Sequence, residues 1–276
     1  MHLGAGQRIG GPVEASSQRQ YLYGVQGLRT VAALLVAVYH IWFGRVSGGV
    51  DIFFVVAGFF ATGSLVRLFS SQTSIRGGLR AYGNYLLRTA KRVVPSALVV
   101  IVATVVGSLL WLPKAYWRDT IGHAWASLGF WENWHLIASS ADYLQQDQDA
   151  SPFQQFWALA VNVQFYVLFA SFVLLLLVLV HRFKGVGSGT GTGMRRALLV
   201  GASAVFLASL VFSVVYTASD QAAAYFNTFT RLWEFVAGAL AALLLKTPVK
   251  HARVARVFGW LGLVALLSFG ALFDLS

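Results

Sequence analysis

Seven stretches of mostly apolar residues, each close to 20 residues long, dominate this 276-residue chain. An α-helix needs about 20 apolar residues to cross the roughly 30 Å of hydrocarbon in a bilayer, so each stretch predicts a membrane-spanning helix. The stretches are residues 27–44, 50–67, 93–112, 156–180, 197–217, 229–246 and 257–273. Because 57% of the residues are hydrophobic and only 11% are charged, a soluble domain does not account for the composition. We therefore expect an all-α, polytopic transmembrane bundle of about seven helices.

Basic residues are unevenly distributed between the two sides that these helices define. With the N-terminus in the cytoplasm, all but four of the 21 Lys and Arg residues lie at the inner ends of the helices. The four exceptions are Arg45, Lys114, Arg118 and Arg231. Because cytoplasmic loops carry the excess of Lys and Arg, we expect a multi-pass protein of the cell membrane with a cytoplasmic N-terminus. We interpret the formal charge of +11 as a sign of this orientation and not of nucleic-acid binding.

Two domains of unequal size follow from this pattern. Residues 1–20 have no apolar stretch and predict a disordered cytoplasmic tail, whereas residues 21–276 form the transmembrane domain. The loop 113–155 holds five of the ten acidic residues and is expected outside the cytoplasm. The chain has no Cys, which excludes disulfides, a thiol nucleophile and Cys-based metal sites, and we assign no metal ligands.

The first apolar stretch contains a cation and an imidazole on one face. Arg29 and His40 are eleven residues apart, or about 1100° of helix rotation, so their side chains align roughly 16 Å apart along the axis. Arg29 suits a cytoplasmic anchor and His40 a buried hydrogen bond, but His is also the side chain best suited to proton transfer near neutral pH. Both interpretations remain open from the residues alone.

The second apolar stretch begins with a carboxylate and contains two glycines that allow close helix contact. Asp51 is interpreted either as an ordinary stabilising charge at a helix N-terminus or as a partner that orients His40. Gly58 and Gly63 are expected to permit the close approach of another helix.

A basic cluster precedes the third apolar stretch. Arg88 and Arg92 are four residues apart and share a helix face, with Lys91 between them. Pro95 is expected near the first turn of the following helix, where proline is tolerated. Such a cluster at the cytoplasmic surface suits a phosphate-bearing cofactor or, equally, lipid headgroups.

The later stretches carry two further groups of polar residues. Gln155, Asn162 and Tyr166 are spaced seven and four residues apart and predict one polar ridge, with Gln164 to its side. Interhelical hydrogen bonds alone would explain the ridge. Arg231 and Glu234 are spaced for an i, i+3 ion pair, which is more often structural than catalytic.

Together these segments resemble the membrane-bound acyltransferase 3 family, the polysaccharide O-acetyltransferases. The resemblance runs from about Tyr23 to Leu245 and depends on five motifs in one order. They are GLRTVAALLVAVYH, GGVDIFFVVAGFF, LLRTAKRVVPSAL, SPFQQFWALAVNVQFYVLF and TFTRLWEFVAGALAAL.

The resemblance implies transfer of an acyl group, usually acetyl from acetyl-CoA, to a hydroxyl of a cell-envelope glycan or related acceptor. No permanently bound cofactor is implied. Arg29 and His40 match the essential pair of the family, and Arg88 with Lys91 matches its basic motif. Arg231 with Glu234 matches its R-x-x-E motif. His40 would then deprotonate the acceptor hydroxyl or carry the acyl group, with Asp51 beside it.

Two alternatives remain beside the acyltransferase interpretation. A transporter of glycolipid or acyl precursors would share the helices and buried charges. A catalytically degenerate family member would fit the sequence as well, because the family commonly has an acidic residue where this chain has Gln155, Ala158 and Asn162. The family usually has about ten helices, so we expect the domain to be incomplete at its C-terminus.

Overall fold

A computed structural model describes most of the chain between the second and sixth apolar stretches. The described residues are 27, 30–34, 36, 49–72, 74–140, 151–184, 190–245 and 260. The first and seventh predicted helices therefore lie almost wholly outside the described residues, as does the N-terminal tail. Within the described ranges the regular structure is entirely helical.

Eight α-helices make up the described part. They are α1 (Gly49–Ser70), α2 (Ile75–Trp111), α3 (Trp117–Leu128), α4 (Glu132–Ser140), α5 (Phe156–Lys184), α6 (Thr190–Ser219), α7 (Gln221–Phe226) and α8 (Thr228–Leu244). A short 3-10 helix, Lys114–Tyr116, joins α2 to α3. The predicted outer loop 113–155 thus contains two α-helices as well as irregular chain.

Among the described residues, four helices are long and apolar enough to cross a membrane. These spans are Gly49–Phe69, Ile75–Trp111, Phe156–Val180 and Gly193–Ser219. The prediction of about seven transmembrane helices is therefore not confirmed. Helix α8 has only 17 residues, or about 26 Å of helix, and includes two charged residues. The chain is a multi-pass helical membrane protein.

Helix α2 begins 18 residues earlier than predicted. Its N-cap is Ser74, whose hydroxyl accepts a hydrogen bond from the Gly77 amide at 3.1 Å. Pro95 consequently lies in the helix interior and not near the first turn, so that prediction was wrong. The first half of α2 is more polar than the second, and Gly78 packs there against Leu177 of α5.

A stack of aromatic rings forms the core where α1, α5 and α8 meet. The Phe235 ring of α8 lies between Phe54 of α1 and Phe165 of α5, with centroid distances of 4.4 and 4.3 Å. All three side chains are almost completely buried. Offset stacks of this kind add to the free energy of apolar burial and fix the rotation of each helix about its axis.

Glycines allow α1 and α8 to pack with their backbones in contact. An added Cβ at Gly58 would overlap the Phe235 carbonyl, and one at Gly238 would overlap the Val55 carbonyl. The two helices run in the same direction, since Asp51, Phe54 and Phe59 of α1 meet Arg231, Phe235 and Gly238 of α8 in the same order. Close contact at Gly58 confirms the prediction for that residue. The predicted contact at Gly63 is not found within the described ranges, where nothing lies within 4 Å of its Cβ position.

Replacement of the two glycines of α1 by alanine should change stability in opposite directions. Gly58→Ala forces the helices apart and should lower the free energy of unfolding by about 1–3 kcal/mol. Gly63→Ala, the matched control, meets open space and should raise it by up to about 1 kcal/mol, because alanine favours helix over glycine. Thermal unfolding in detergent measures both changes. Equal shifts in the two variants would contradict the close contact at Gly58.

Candidate functional site

Two of the residues expected in the reaction centre, Arg29 and His40, lie outside the described residues. The remaining predicted residues divide between two places. Asp51, Arg231 and Glu234 lie where α1 and α8 begin, and the basic cluster lies on α2.

Arg231 links two carboxylates in an ion-paired triad. Its Nη2 donates a hydrogen bond to Asp51 Oδ1, and its Nη1 is 3.1 Å from Glu234 Oε1. The Arg231–Glu234 pair confirms the predicted i, i+3 contact. Asp51 does lie in the first turn of its helix, but its partner is a residue 180 positions later in the chain. Neither interpretation of Asp51 from the sequence included this pairing.

Aromatic rings surround the guanidinium of this triad. Arg231 Cζ lies 5.4 Å from the centre of the Tyr225 ring, 5.8 Å from Phe54 and 5.9 Å from Trp157. The negative faces of these rings stabilise a cation that has lost most of its water. Burial raises the pKa of Tyr225 to about 12, although the nearby Arg231 opposes the change and both carboxylates reinforce it. Tyr225 is therefore a neutral hydroxyl beside the triad.

Several buried polar atoms of α5 and α8 have no hydrogen-bond partner in the described part of the chain. They belong to the carboxylate of Glu234, Nε of Arg231 and Oδ1 of Asn162. The Glu234 side chain is only 1% exposed, so leaving its oxygens with the single Arg231 ion pair is costly. Buried groups of this kind suit a site that accepts hydroxyl or water hydrogens.

The basic cluster lies on an exposed face of α2. Arg88, Lys91 and Arg92 are exposed within α2, and Arg92 Cζ lies 5.7 Å from the Tyr166 ring of α5. The location of the cluster at the cytoplasmic surface stays a prediction. Among the described residues none of the three forms a salt bridge. Cations without a carboxylate partner suit water or an anionic ligand.

The predicted polar ridge is only partly present. Gln155 is exposed in the turn before α5 and does not belong to that helix, so its place in the ridge was wrong. Asn162 is half-buried and Tyr166 is buried on α5. The predicted segment 156–180 and α5 both begin at residue 156, so Gln155 lies just before the helix.

Gln164, expected to one side of the ridge, joins three helices. Its Oε1 accepts hydrogen bonds from Thr228 Oγ1 at 2.6 Å and from Trp134 Nε1 at 3.1 Å. Its Nε2 donates to the Phe130 carbonyl at 2.8 Å and to Asn133 Oδ1 at 2.9 Å. The amide thus connects α5 to the α3–α4 hairpin and to the first residue of α8. Gln164 is one of two side-chain amides in a largely apolar helix, and that was the signal in the sequence for a buried polar contact.

A buried histidine–carboxylate pair was missed by the sequence analysis. His123 Nδ1 and Glu132 Oε1 are 2.6 Å apart, and His123 Nε2 is 3.5 Å from Asp119 Oδ2. Burial alone lowers the pKa of His123, but the hydrogen bond and charge of Glu132, together with Asp119, raise it overall above its ordinary value. The i, i+4 spacing of Asp119 and His123 was visible, but the segment was interpreted as a loop.

The His123–Glu132 pair should make stability depend on pH. A histidine whose pKa is raised by folding stabilises the folded state below the unfolded pKa of about 6.5, and this contribution is lost as pH rises through the folded pKa. The unfolding temperature in detergent should therefore fall as the pH rises above about 6.5 for this reason. His123→Gln should remove that part of the decline, whereas His135→Gln should retain it. An unchanged pH profile in His123→Gln would contradict the charged pair.

Comparisons with known proteins match almost the whole chain. A family model described as an acyltransferase domain covers residues 22–276. The chain is 26% identical over 259 residues to the peptidoglycan O-acetyltransferase OatA of Listeria monocytogenes, covering 91% of the chain and 39% of that protein. It is 28% identical over 240 residues to the putative peptidoglycan O-acetyltransferase YrhL of Bacillus subtilis, covering 86% of the chain and 35% of that protein.

A third relative is similar at a slightly higher level. The O-acetyltransferase OatA of Staphylococcus aureus is 30% identical over 233 residues, covering 82% of the chain and 35% of that protein. The chain therefore spans little more than a third of the length of these curated relatives. No solved structure matches it.

Proposed function

Because the chain belongs to this acyltransferase family, we propose that it transfers an acyl group from acyl-CoA to a hydroxyl of a cell-envelope glycan. Acetyl is the proposed acyl group, and a glycan of the cell wall is the proposed acceptor, since two relatives are named for peptidoglycan. The observation that carries the proposal is the group of three exposed cations on α2, which form no salt bridge with any described residue, in a chain of this family.

The basic cluster is proposed to bind the phosphates of the acyl donor. Coenzyme A carries several phosphate charges, and arginine binds phosphate through two parallel hydrogen bonds. Arg88 and Arg92 are one helix turn apart, so both can contact one polyphosphate group, with Lys91 beside them. Lipid headgroups remain the alternative ligand, and Arg92 also lies 5.7 Å from the Tyr166 ring of α5.

The acceptor hydroxyl is proposed to bind near the triad at the start of α8. The unsatisfied oxygens of Glu234 and Asn162 suit hydroxyl donors, and the contact of Arg231 Nη1 with Glu234 Oε1 at 3.1 Å holds the Glu234 carboxyl group in place. In transfer, the hydroxyl oxygen forms a bond to the thioester carbonyl carbon as the carbon–sulfur bond breaks. Its proton passes to His40, or His40 first carries the acyl group, and the thiol of coenzyme A leaves.

The orientation of the bundle agrees with this reaction path. We propose seven membrane segments with a cytoplasmic N-terminus, because the basic residues are concentrated at the inner ends of the segments. The N-terminal half of α2 then faces the side where acyl-CoA is available. The beginnings of α1 and α8, which carry the triad, face the opposite side.

Removal of the proposed catalytic histidine tests the enzyme directly. His40→Ala should reduce O-acetylation of envelope glycans to background, measured by mass spectrometry of the glycans at equal membrane protein levels. His2→Ala is the matched control and should acetylate normally. A transporter would lose flux in this variant with no acyl transfer in either protein. A degenerate family member would change in neither property, and normal acetylation by His40→Ala would contradict the mechanism.

Neutralisation of the basic cluster tests whether it binds the acyl donor. Loss of a charge-assisted hydrogen bond costs about 1.5–3 kcal/mol, so Arg88→Gln should raise the KM for acetyl-CoA roughly tenfold or more. Arg76→Gln, an exposed arginine in the first turn of the same helix, is the control and should change the KM little. Equal effects in the two variants would favour general attraction to lipid headgroups.

The natural absence of cysteine makes the orientation simple to test. Ser71→Cys follows α1 and should lie in the cytoplasm, whereas Ser219→Cys ends α6 and should lie outside, and both positions are exposed. A membrane-impermeant maleimide should label Ser219→Cys in intact cells and Ser71→Cys only after permeabilisation. The reverse pattern would invert the proposed orientation.

A further inference from the structure

The α3–α4 hairpin has its polar and apolar faces reversed relative to a helix that faces water. The buried side of α3 carries Thr120, His123 and Ser127, each no more than 4% exposed. Glu132 and Asn133, at the start of α4, are completely buried. A water-facing helix of a soluble protein would direct such residues outward.

Large apolar side chains occupy the outer side of the same hairpin. Ile121, Trp125 and Leu128 are spaced four and three residues apart, which places them on one stripe of α3. They are 44%, 70% and 40% exposed, and Trp131 in the connection to α4 is 59% exposed. A contiguous outward stripe of this kind marks a surface that has an apolar partner.

The exposed stripe continues an apolar surface of a membrane-spanning helix. Helix α2 ends at Trp111, and its last two residues, Leu110 and Trp111, are 69% and 81% exposed. The 3-10 helix then leads directly into α3, so the lipid-facing surface of α2 leads onto the hairpin. Helices of 12 and 9 residues are about 18 and 14 Å long, too short to cross the bilayer themselves.

The exposed charged residues of the hairpin are confined to the first turn of α3 and the segment before it. Lys114 lies 5.9 Å from the Trp117 ring, and Arg118 and Asp119 are exposed. Tryptophan is enriched at the level of lipid headgroups, and long cations extend from that level toward water. A charged end followed by a stripe of tryptophan and aliphatic side chains matches the polarity gradient of a membrane interface.

We propose that the α3–α4 hairpin is embedded in the membrane interface next to the C-terminal end of α2. Ile121, Trp125, Leu128 and Trp131 contact lipid, while the polar face stays against the bundle. The partner is bilayer lipid and not water or a second protein surface. The hydrogen bonds of Asn133 to Thr228 and Gln164 connect this lipid-seated hairpin to the start of α8, three residues before Arg231.

Spin labels attached to single cysteines test the proposal in the complete chain. The variants are Ile121→Cys, Trp125→Cys and Leu128→Cys, with Lys114→Cys as the aqueous control, reconstituted in vesicles of phosphatidylcholine and phosphatidylglycerol. Collision of each label with oxygen, which concentrates in lipid, is compared with collision with a water-soluble nickel chelate. The three stripe positions should show a severalfold higher ratio of oxygen to nickel accessibility than position 114.

Each alternative to lipid contact predicts a different accessibility result, and each of these results would contradict the proposal. High nickel accessibility at all three positions means that the stripe faces water. Low accessibility to both reagents means that another segment of the chain covers it, and spin–spin broadening means that a second copy does. Because the three side chains are exposed, the variants should unfold at the wild-type temperature, and any one that does not is replaced by another position on the stripe.

Discussion

The buried guanidinium of Arg231 is the interaction on which the arrangement of the central helices depends. A cation inside an apolar bundle is tolerated only when it is paired, and its two carboxylates come from different helices, Asp51 of α1 and Glu234 of α8. The two helices can bring these groups together because Gly58 and Gly238 let their backbones touch. Charge pairing and glycine packing therefore reinforce each other, since loss of the close approach would separate the ion pair.

The need to pair buried polar groups also explains the hydrogen bonds around Gln164 at the start of α8. Gln164 uses both amide atoms to connect α5, the α3–α4 hairpin and Thr228, which leaves few buried donors or acceptors unpaired. Where a bundle has lipid around it and polar groups inside it, the usual rule of apolar inside and polar outside is reversed. His123 and Glu132 inside, with Trp125 outside, are the clearest example.

Hydropathy located α1, α5 and α6 well because the apolar run and the helix nearly coincide in each. It failed for α2, whose first half is polar and is held by contacts such as Gly78 on Leu177 that no local pattern reveals. It also failed for the hairpin in 113–155, where buried polar residues resemble a solvated loop. The predicted pair of Arg231 and Glu234 is local, so spacing found it. The pair of Asp51 and Arg231 joins distant residues, so spacing did not.

By itself, the sequence determined that this is a helical membrane protein of the acyltransferase family and which residue types carry charge in its apolar segments. Those properties follow from composition, run length and motif order, which are all local along the chain. Only the tertiary structure decided which charged side chains contact each other. It also showed that Arg92 of α2 lies beside Tyr166 and that Gln164 joins three helices. Such contacts depend on the register and rotation of packed helices, which glycine contacts and the aromatic stack around Phe235 set across the bundle.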